Sequence, residues 1–299
     1  MPGFSYIKDP GELKRLLLER GSIEVGGVEC LIAGGQGCGK TTTLCQISIE
    51  NMERYGDVII WRGSEDCQWT LFLNAKKEIN YLPKSDLEIE FFSRKTGKTE
   101  NILDYIAKVN PWSDIHELID KLDPERINVI EMAPMNMLNT RQYMEFVLSW
   151  LDFFEKLIKR RTGRPVSVYF DEFEDFVPEY PMKELFVIDR MISYCIRGFR
   201  KNDISLFAAV HNINDVYHLA RKKMRWKMYM RGSRALKGSR ITINLNDLEI
   251  GTAVLESGKF ERFKWRPLGR ERGLRAIIRK KATEKPAEPG APRDFWGDV

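Results

Sequence analysis

Gly34-Gly35-Gln36-Gly37-Cys38-Gly39-Lys40-Thr41 is the stretch of the sequence that decides the fold. It fits the pattern G-x-x-x-x-G-K-[ST]. A compact apolar run at 28–33 precedes it and a helical pattern at 41–53 follows it. Glycines let backbone N–H groups turn towards phosphate oxygens, and the start of a helix adds further free donors. The stretch therefore predicts a strand, a phosphate-binding loop and a helix, in that order.

The loop predicts a nucleotide site with ATP and Mg²⁺ as its cofactors. We expect Lys40 to reach the β- and γ-phosphates and the Thr41 hydroxyl to ligate Mg²⁺. Cys38 is interpreted as a tolerated small residue, with a redox role as the alternative. A chance glycine turn is disfavoured because a strand and a helix flank the loop. The predicted nucleotide-binding residues are Gly34, Gly35, Gln36, Gly37, Cys38, Gly39, Lys40, Thr41 and Thr42.

A second apolar run, at 166–170, ends in two acids, Asp171 and Glu172. In P-loop ATPases an acid at this position holds Mg²⁺, and a following residue orients or polarises the attacking water. We therefore predict Asp171 as a metal ligand and Glu172 as the general base. The pair favours hydrolysis over phosphoryl transfer to a small molecule. The alternative is a strand that runs into an acidic surface loop, since Glu174 and Asp175 follow.

Apolar strands alternate with helices along the chain, which favours an α/β fold with a mainly parallel sheet. The further predicted strands are 58–61, 87–92, 127–132, 204–210, 241–245 and 253–256. The further predicted helices are 13–18, 102–109, 115–122, 141–159 and 184–200.

The composition indicates an ordinary globular protein in a reducing compartment. Hydrophobic residues make up 43% and charged residues 30% of the 299 residues, enough to bury a core without disulfides. The five cysteines show no metal-ligand spacing and no CxxC pair. No secretory signal or membrane-spanning run is visible in the sequence. We expect a cytoplasmic location, which means host cytoplasm or the virion if the source is viral.

The net charge of +5 is concentrated in one stretch. Nine basic residues and no acid lie between Arg221 and Arg240, interleaved with Trp226 and Tyr229. Lys and Arg contacts with phosphates give salt-sensitive binding that is independent of sequence. The stretch is interpreted as a DNA contact, with a solvated helix face or a subunit contact as the alternatives.

Further segments give the chain a resemblance to the FtsK–HerA superfamily of DNA-pumping ATPases. Residues 196–206 (IRGFRKNDISL) resemble the arginine-containing helix end of that family, and 207–212 (FAAVHN) resemble the strand and polar tip that follow it. Residues 248–263 are similar to the closing segment of the family, in which a glycine turn precedes a strand pair. The resemblance covers about residues 28–65 and 165–265. It implies a RecA-like P-loop NTPase whose mainly parallel central sheet is flanked by helices.

The resemblance also implies an activity and partners. Members of the family are rings, usually hexameric, that bind ATP between subunits and pass double-stranded DNA through a central channel. It implies ATP hydrolysis coupled to DNA translocation, with a capsid, portal or nuclease protein as a further candidate partner. No membrane anchor or winged-helix module is recognisable, which favours a compact viral or plasmid ATPase. Viral genome packaging is the most specific version of this prediction.

Two catalytic roles are carried over from the family. His211 occupies the sensor position, where the family usually carries Gln, and a neutral imidazole can donate to the γ-phosphate or orient water. Arg197 and Arg200 are candidate arginine fingers that neutralise charge in a neighbouring subunit, and Arg197 is favoured. The alternative for His211 is that it merely ends a strand. The alternative for Arg197 and Arg200 is that they lie on a solvated helix face. The predicted catalytic residues are Lys40, Glu172, Arg197 and His211.

Three regions are predicted along the chain. Residues 1–27 form an N-terminal appendage, and residues 28–280 form the ATPase domain, with an insertion at about 66–140 that carries subunit or DNA contacts. Residues 281–299 form a flexible tail, because their Lys, Glu, Pro, Ala and Gly cannot bury enough apolar area.

Other activities share some of these motifs. A P-loop kinase typically lacks a pair such as Asp171-Glu172 and works without a ring, and a nucleotide-binding switch would bind without turnover. A helicase would prefer single-stranded DNA. A RecA-like recombinase or a secretion ATPase shares both nucleotide motifs, and the segment from Arg197 to His211 favours the DNA translocase over these.

Overall fold

The computed structural model describes residues 8–20, 26–135, 139–160, 163–179, 186–256, 260–269 and 272–281, without the side chains of 186–189 and 260. Within these residues the strands are β1 (Glu29–Ala33), β2 (Val58–Arg62), β3 (Ile79–Pro83), β4 (Leu87–Ser93), β5 (Thr99–Glu100), β6 (Ile127–Glu131), β7 (Val166–Phe170), β8 (Ile204–Val210), β9 (Trp226–Met230), β10 (Thr252–Glu256), β11 (Phe260–Lys264) and β12 (Leu274–Lys280).

The central sheet has the strand order β11-β10-β9-β1-β8-β7-β2-β6-β3. From β9 to β3 all neighbours pair in parallel, whereas β10 and β11 run antiparallel at one edge. Strands covered by helices on both faces consist of continuous apolar runs, and every residue of β1, β2, β7 and β8 is buried. The predicted α/β fold with a mainly parallel central sheet is confirmed.

Helices cover both faces of this sheet. They are α1 (Leu13–Arg20), α2 (Lys40–Tyr55), α3 (Leu71–Asn74), α4 (Ile115–Asp120), α5 (Thr140–Lys159), α6 (Phe173–Phe176), α7 (Phe186–Phe199) and α8 (His218–Lys223). Residues of α1, α2 and α3 belong to one buried cluster, and residues of α4, α5, α7 and α8 belong to another. The sheet therefore separates two hydrophobic cores.

The longest helix, α5, shows why the sequence folds as it does. Tyr143, Val147, Trp150 and Phe154 recur at helical spacing, and all four are buried against the sheet. The Asn139 side chain accepts a hydrogen bond from the N–H of Gln142 and so caps the first turn. The predicted helix at 141–159 is present with this apolar face inward.

The predicted N-terminal appendage includes α1, which is tied to the sheet by a buried ion pair. Lys14 Nζ donates to both carboxylate oxygens of Asp57, at 2.5 and 2.7 Å. Asp57 precedes β2 and also accepts from the Ser167 hydroxyl of β7. Both partners of the ion pair are buried, so α1 packs as part of the same core as α2.

The region predicted as an insertion, about 66–140, contributes to both sheets. It contains β3 and β6 of the central sheet, and β4 and β5 of a second, antiparallel sheet with the order β12-β4-β5. Ala276 N of β12 donates to Glu65 O, at 2.7 Å, which joins the second sheet to the segment that follows β2. Apart from Lys281, the predicted tail at 281–299 lies outside the described residues.

Two secondary-structure predictions are wrong. Residues 102–109 form only a short 3-10 turn, Ile102–Asp104, because the segment then runs along the edge of the sheet, where Val109 bridges Tyr81. Residues 241–245 form no strand, since polar side chains bind the backbone locally: Ser239 accepts from Ile241 N, and Asn244 accepts from Asn246 N.

Candidate active site

The phosphate loop lies at the carboxyl end of β1, at the edge of the sheet where ligands bind in open α/β folds. β8 separates β1 from β7, so the loop and the acids that follow β7 face the same crevice. The register places Ala33 opposite Val210 and Phe170 opposite Ala208. The topology thus brings the two predicted motifs together.

Two glycines give the loop a backbone that other residues adopt only with strain. Gly37 has φ of 72° and Gly39 has φ of 99°, in the left-handed region. Gly39 comes directly before α2, whose first residue is Lys40. The chain can therefore turn its N–H groups inward just before the helix starts.

Main-chain hydrogen bonds hold the loop to its neighbours. Gly34 N donates to Val210 O at 3.2 Å, and Gly35 N donates to Arg231 O at 2.9 Å. Gly251 N donates to Cys38 O at 3.0 Å. The loop is thus fixed to the ends of β8 and β9 and to the turn before β10.

Inside the loop, Lys40 and Cys38 are both buried. Lys40 Nζ donates to Gly34 O at 2.9 Å and to Gly35 O at 3.3 Å, so the ammonium group lies over the loop. Burial raises the pKa of the Cys38 thiol, and the Lys40 charge opposes this. A neutral, buried thiol is a packed side chain rather than an exposed redox group.

Thr41 and Asp171 meet at the start of α2. Thr41 Oγ1 donates to Asp171 Oδ2 at 2.5 Å, and Asp171 is only 5% exposed. Burial raises the pKa of Asp171, while the Thr41 hydrogen bond and the Lys40 charge lower it. A hydroxyl and a carboxylate are the hard oxygen donors that Mg²⁺ takes beside phosphates and water. The donor set therefore fits this ion.

The described residues hold no cluster of three or more His, Cys, Asp or Glu side chains able to bind a metal by themselves. This agrees with a Mg²⁺ site that one carboxylate and one hydroxyl complete together with phosphates.

Glu172 follows Asp171 in a strained backbone conformation. Its φ and ψ are 56° and 54°, a left-handed conformation that costs a residue with a side chain about 1–3 kcal/mol and that clusters at functional sites. Burial raises the pKa of Glu172, and the neighbouring Asp171 carboxylate adds to the rise. A half-buried carboxyl with a raised pKa, beside the predicted metal ligand Asp171, fits the predicted role of a general base.

His211 follows β8 at the same edge. Its Nδ1 and its backbone N each lie 2.8 Å from Oε1 of Glu174, which is the second residue of α6. In the neutral ring, Nδ1–H donates to this carboxylate, and Nε2 is then an acceptor. His211 can therefore accept a hydrogen bond from water, but it donates through Nε2 only as the imidazolium. Its sensor role stays a prediction.

Solved structures resemble the fold of this chain. The bacterial conjugative coupling protein TrwB aligns over 91% of this chain and 96% of its own, with TM-score 0.52 and 11% identity. VirB4 of Thermoanaerobacter pseudethanolicus aligns over 80% and 89%, with TM-score 0.51 and 9% identity. The genome packaging NTPase B204 of Sulfolobus turreted icosahedral virus 2, in complex with AMPPCP, aligns over 80% and 97%, with TM-score 0.44 and 9% identity. No protein-family model and no curated protein sequence matches the chain.

The fold is that of a RecA-like P-loop ATPase. The predicted resemblance to ATPases of the FtsK–HerA type is confirmed for the fold. In the part of the chain that the structure describes, no helix combines the length and apolar character needed to cross a bilayer.

The two candidate arginine fingers lie far from the phosphate loop of their own chain. Arg200 O accepts from Gly27 N, at the amino end of β1, whereas the loop follows its carboxyl end. Arg197 lies one turn earlier, on the exposed face of α7. The structure brings neither arginine to its own site, so a catalytic role would require a neighbouring subunit.

The basic stretch at 221–240 is divided by β9, which is a strand of the central sheet. Lys222, Lys223 and Arg225 precede the strand and are exposed at the amino edge of the sheet. Arg231 follows the strand and lines a cleft of about 520 Å³ together with the phosphate loop. Trp226 and Tyr229 are buried, which excludes them as surfaces on which bases could stack.

The aromatic residues near β2 pack in the core. Trp61 stacks on Tyr169, with ring centroids 6.0 Å apart, and Trp69 is fully buried. Packing, rather than adenine stacking, is therefore the role of both.

Their neighbour Arg62 is buried at the edge that carries Asp171. No sequence motif points to Arg62, because only the strand order shows that the end of β2 lies beside the end of β7.

Proposed function

We propose that the protein is an ATP-driven double-stranded DNA translocase. The observation that carries the proposal is the contact of Thr41 Oγ1 with Asp171 Oδ2, at 2.5 Å, directly before a half-buried Glu172. A kinase with a small-molecule acceptor does not need a general base at this position. The arrangement supports hydrolysis.

The chain's own residues account for binding and proton transfer. The N–H groups of the loop and of the first turn of α2 bind phosphate oxygens, with Lys40 adding charge. Thr41 and Asp171 would hold Mg²⁺, which when bound neutralises charge on the phosphates. Glu172 accepts the proton of the attacking water, and its burial excludes competing solvent.

The translocase part of the proposal rests on the fold and on charge. TrwB is by name a conjugative coupling protein, and the exposed Lys222, Lys223 and Arg225 offer contacts with any DNA sequence. A homo-oligomeric ring, of the hexameric type, would bring Arg197 to a neighbouring loop. Viral genome packaging, a capsid, portal or nuclease partner and a cytoplasmic or virion location belong to the same proposal.

The test is ATP turnover by the wild type and by Glu172→Gln, measured without DNA, with single-stranded DNA and with double-stranded DNA, over a salt series. We expect double-stranded DNA to stimulate the wild type, less so at high salt, and the substitution to lower kcat by about 10²- to 10⁴-fold. Glu88→Gln is the matched control, since Glu88 is an exposed residue of β4. Turnover that is indifferent to DNA would overturn the translocase and leave the ATPase.

A further inference from the structure

Arg62 is the last residue of β2 and lies between two acidic strand ends. β2 pairs with β7, which leads into Asp171 and Glu172, and with β6, which ends at Glu131. Arg62 is 5% exposed, and its guanidinium lies over the Phe146 ring of α5, at 5.7 Å. A buried charge is costly unless it is paired.

The Arg62 guanidinium has an unused donor. Its Nη1 is buried and has no hydrogen-bond partner among the described residues. Orphaned buried donors are rare in folded proteins, and each one needs an explanation, such as a catalytic role. Arg62 and Glu172 line the same cleft of about 180 Å³. Ser64, in the same lining, also has a buried hydroxyl without a partner within the described part of the chain.

Other acids of the cleft are poor partners for Arg62. Asp66 is paired with Arg94 at 2.5 Å, and Glu65 is exposed. Glu131 is packed against the end of β2, where a Cβ on Gly63 would lie 2.0 Å from Glu131 Oε1. Glu131 Oε1 already accepts a hydrogen bond from the Tyr81 hydroxyl at 3.4 Å, and burial raises the pKa of Glu131 to about 8 although the Arg62 charge lowers it. Glu172 is the remaining half-buried acid of the cleft.

We propose that Arg62 is a positioning residue for Glu172: its Nη1 donates to the Glu172 carboxylate and fixes the direction in which that carboxylate meets the attacking water. The inference rests on the proposed ATPase function. Arg62 touches neither phosphate nor metal in this scheme. It acts through Glu172, as outer partners of catalytic carboxylates do.

The experiment is a double-substitution cycle with Arg62→Met, Glu172→Gln and the combined variant, in single-turnover ATP hydrolysis. We expect Arg62→Met to lower kcat by about 10- to 100-fold and to change KM by less than about threefold. Arg62→Lys recovers part of the loss. In the Glu172→Gln background, Arg62→Met causes no further loss, because its effect passes through Glu172.

Two measurements without turnover complete the test. We expect the affinity for a fluorescent ATP analogue and the melting temperature to be retained in Arg62→Met. Losses that multiply in the combined variant, or a fall in affinity or melting temperature that accounts for the lost activity, would overturn the positioning role. A wild type without ATP turnover would instead overturn the proposed function, and the inference with it.

Discussion

At the residue scale, the site is built from residues whose backbone conformation or buried charge lowers the stability of a folded protein. Glu172 has a left-handed backbone, and Asp171, Lys40 and Arg62 are charged side chains held below 9% exposure. Such costs are offset only where the surrounding structure fixes them. Their concentration at the carboxyl ends of β1, β2 and β7 indicates that this edge is shaped for chemistry rather than for stability.

Gly39 gives a prediction at this scale. Gly39→Ala forces a side chain into φ of 99°, and we expect a stability loss of about 1–2 kcal/mol, together with weaker binding of a fluorescent ATP analogue. Gly97→Ala is the matched control, because Gly97 also has positive φ, 68°, but its position is open and outside the site. Both variants should lose stability, and only Gly39→Ala should lose nucleotide affinity. Equal affinities would contradict a role for the loop in binding.

At the element scale, the strands made of buried apolar residues could be predicted from the sequence. The strands that contain polar or charged residues could not. β1, β2, β7 and β8 are apolar runs, and the sequence alone predicts them. β9 contains Lys227 in a basic context, and β3 contains Asn80 and ends in Pro83, so neither resembles a buried strand. Asn80 is satisfied by Asn128 and by Lys121 O, partners that only the tertiary structure provides.

The site was predictable to the same extent. The loop and the acidic pair are local patterns, so the sequence places them correctly at one edge. Arg62 depends on β2 lying between β7 and β6, and the division of the basic stretch depends on β9 entering the sheet. Both follow from strand order, which the periodicity of a single segment does not encode.

The helix α1 gives a prediction at the element scale. Lys14→Met would leave Asp57 buried without its ion-pair partner, and we expect unfolding in urea to require about 3–5 kcal/mol less. Arg15→Met serves as the control, since Arg15 is 60% exposed and its pairs with Glu12 and Glu19 lie at the surface, where such pairs contribute about 0–1 kcal/mol. Similar stabilities of the two variants would mean that α1 is not part of the cooperative fold.

At the scale of the whole molecule, the sheet separates two basic surfaces that the sequence presents as one. The group before β9, at the amino edge, is remote from the loop, and the group after β9 begins beside it. Under the proposed function, this stretch would contact DNA through the group before β9 and nucleotide through the group after it.

Two sets of substitutions test this division. Neutralising Lys222, Lys223 and Arg225 together should weaken DNA binding and lower the salt dependence of log K by about 0.9 for each phosphate contact removed, with nucleotide affinity unchanged. Arg231→Gln should weaken binding of a fluorescent ATP analogue instead. If both sets change only DNA binding, the stretch acts as one surface, and the division has no functional meaning.

The hydrogen bonds that hold the phosphate loop also make it part of a rigid linkage. Val210 O, Arg231 O and Gly251 N are all main-chain atoms bonded to the loop, so no flexible side chain lies between the loop and the ends of β8, β9 and the turn before β10. A displacement of the loop therefore acts directly on these three hydrogen bonds and on the strand ends that they join. In the proposed translocase, a movement at the nucleotide site would therefore reach the ends of β8 and β9 and the turn before β10 through the backbone alone.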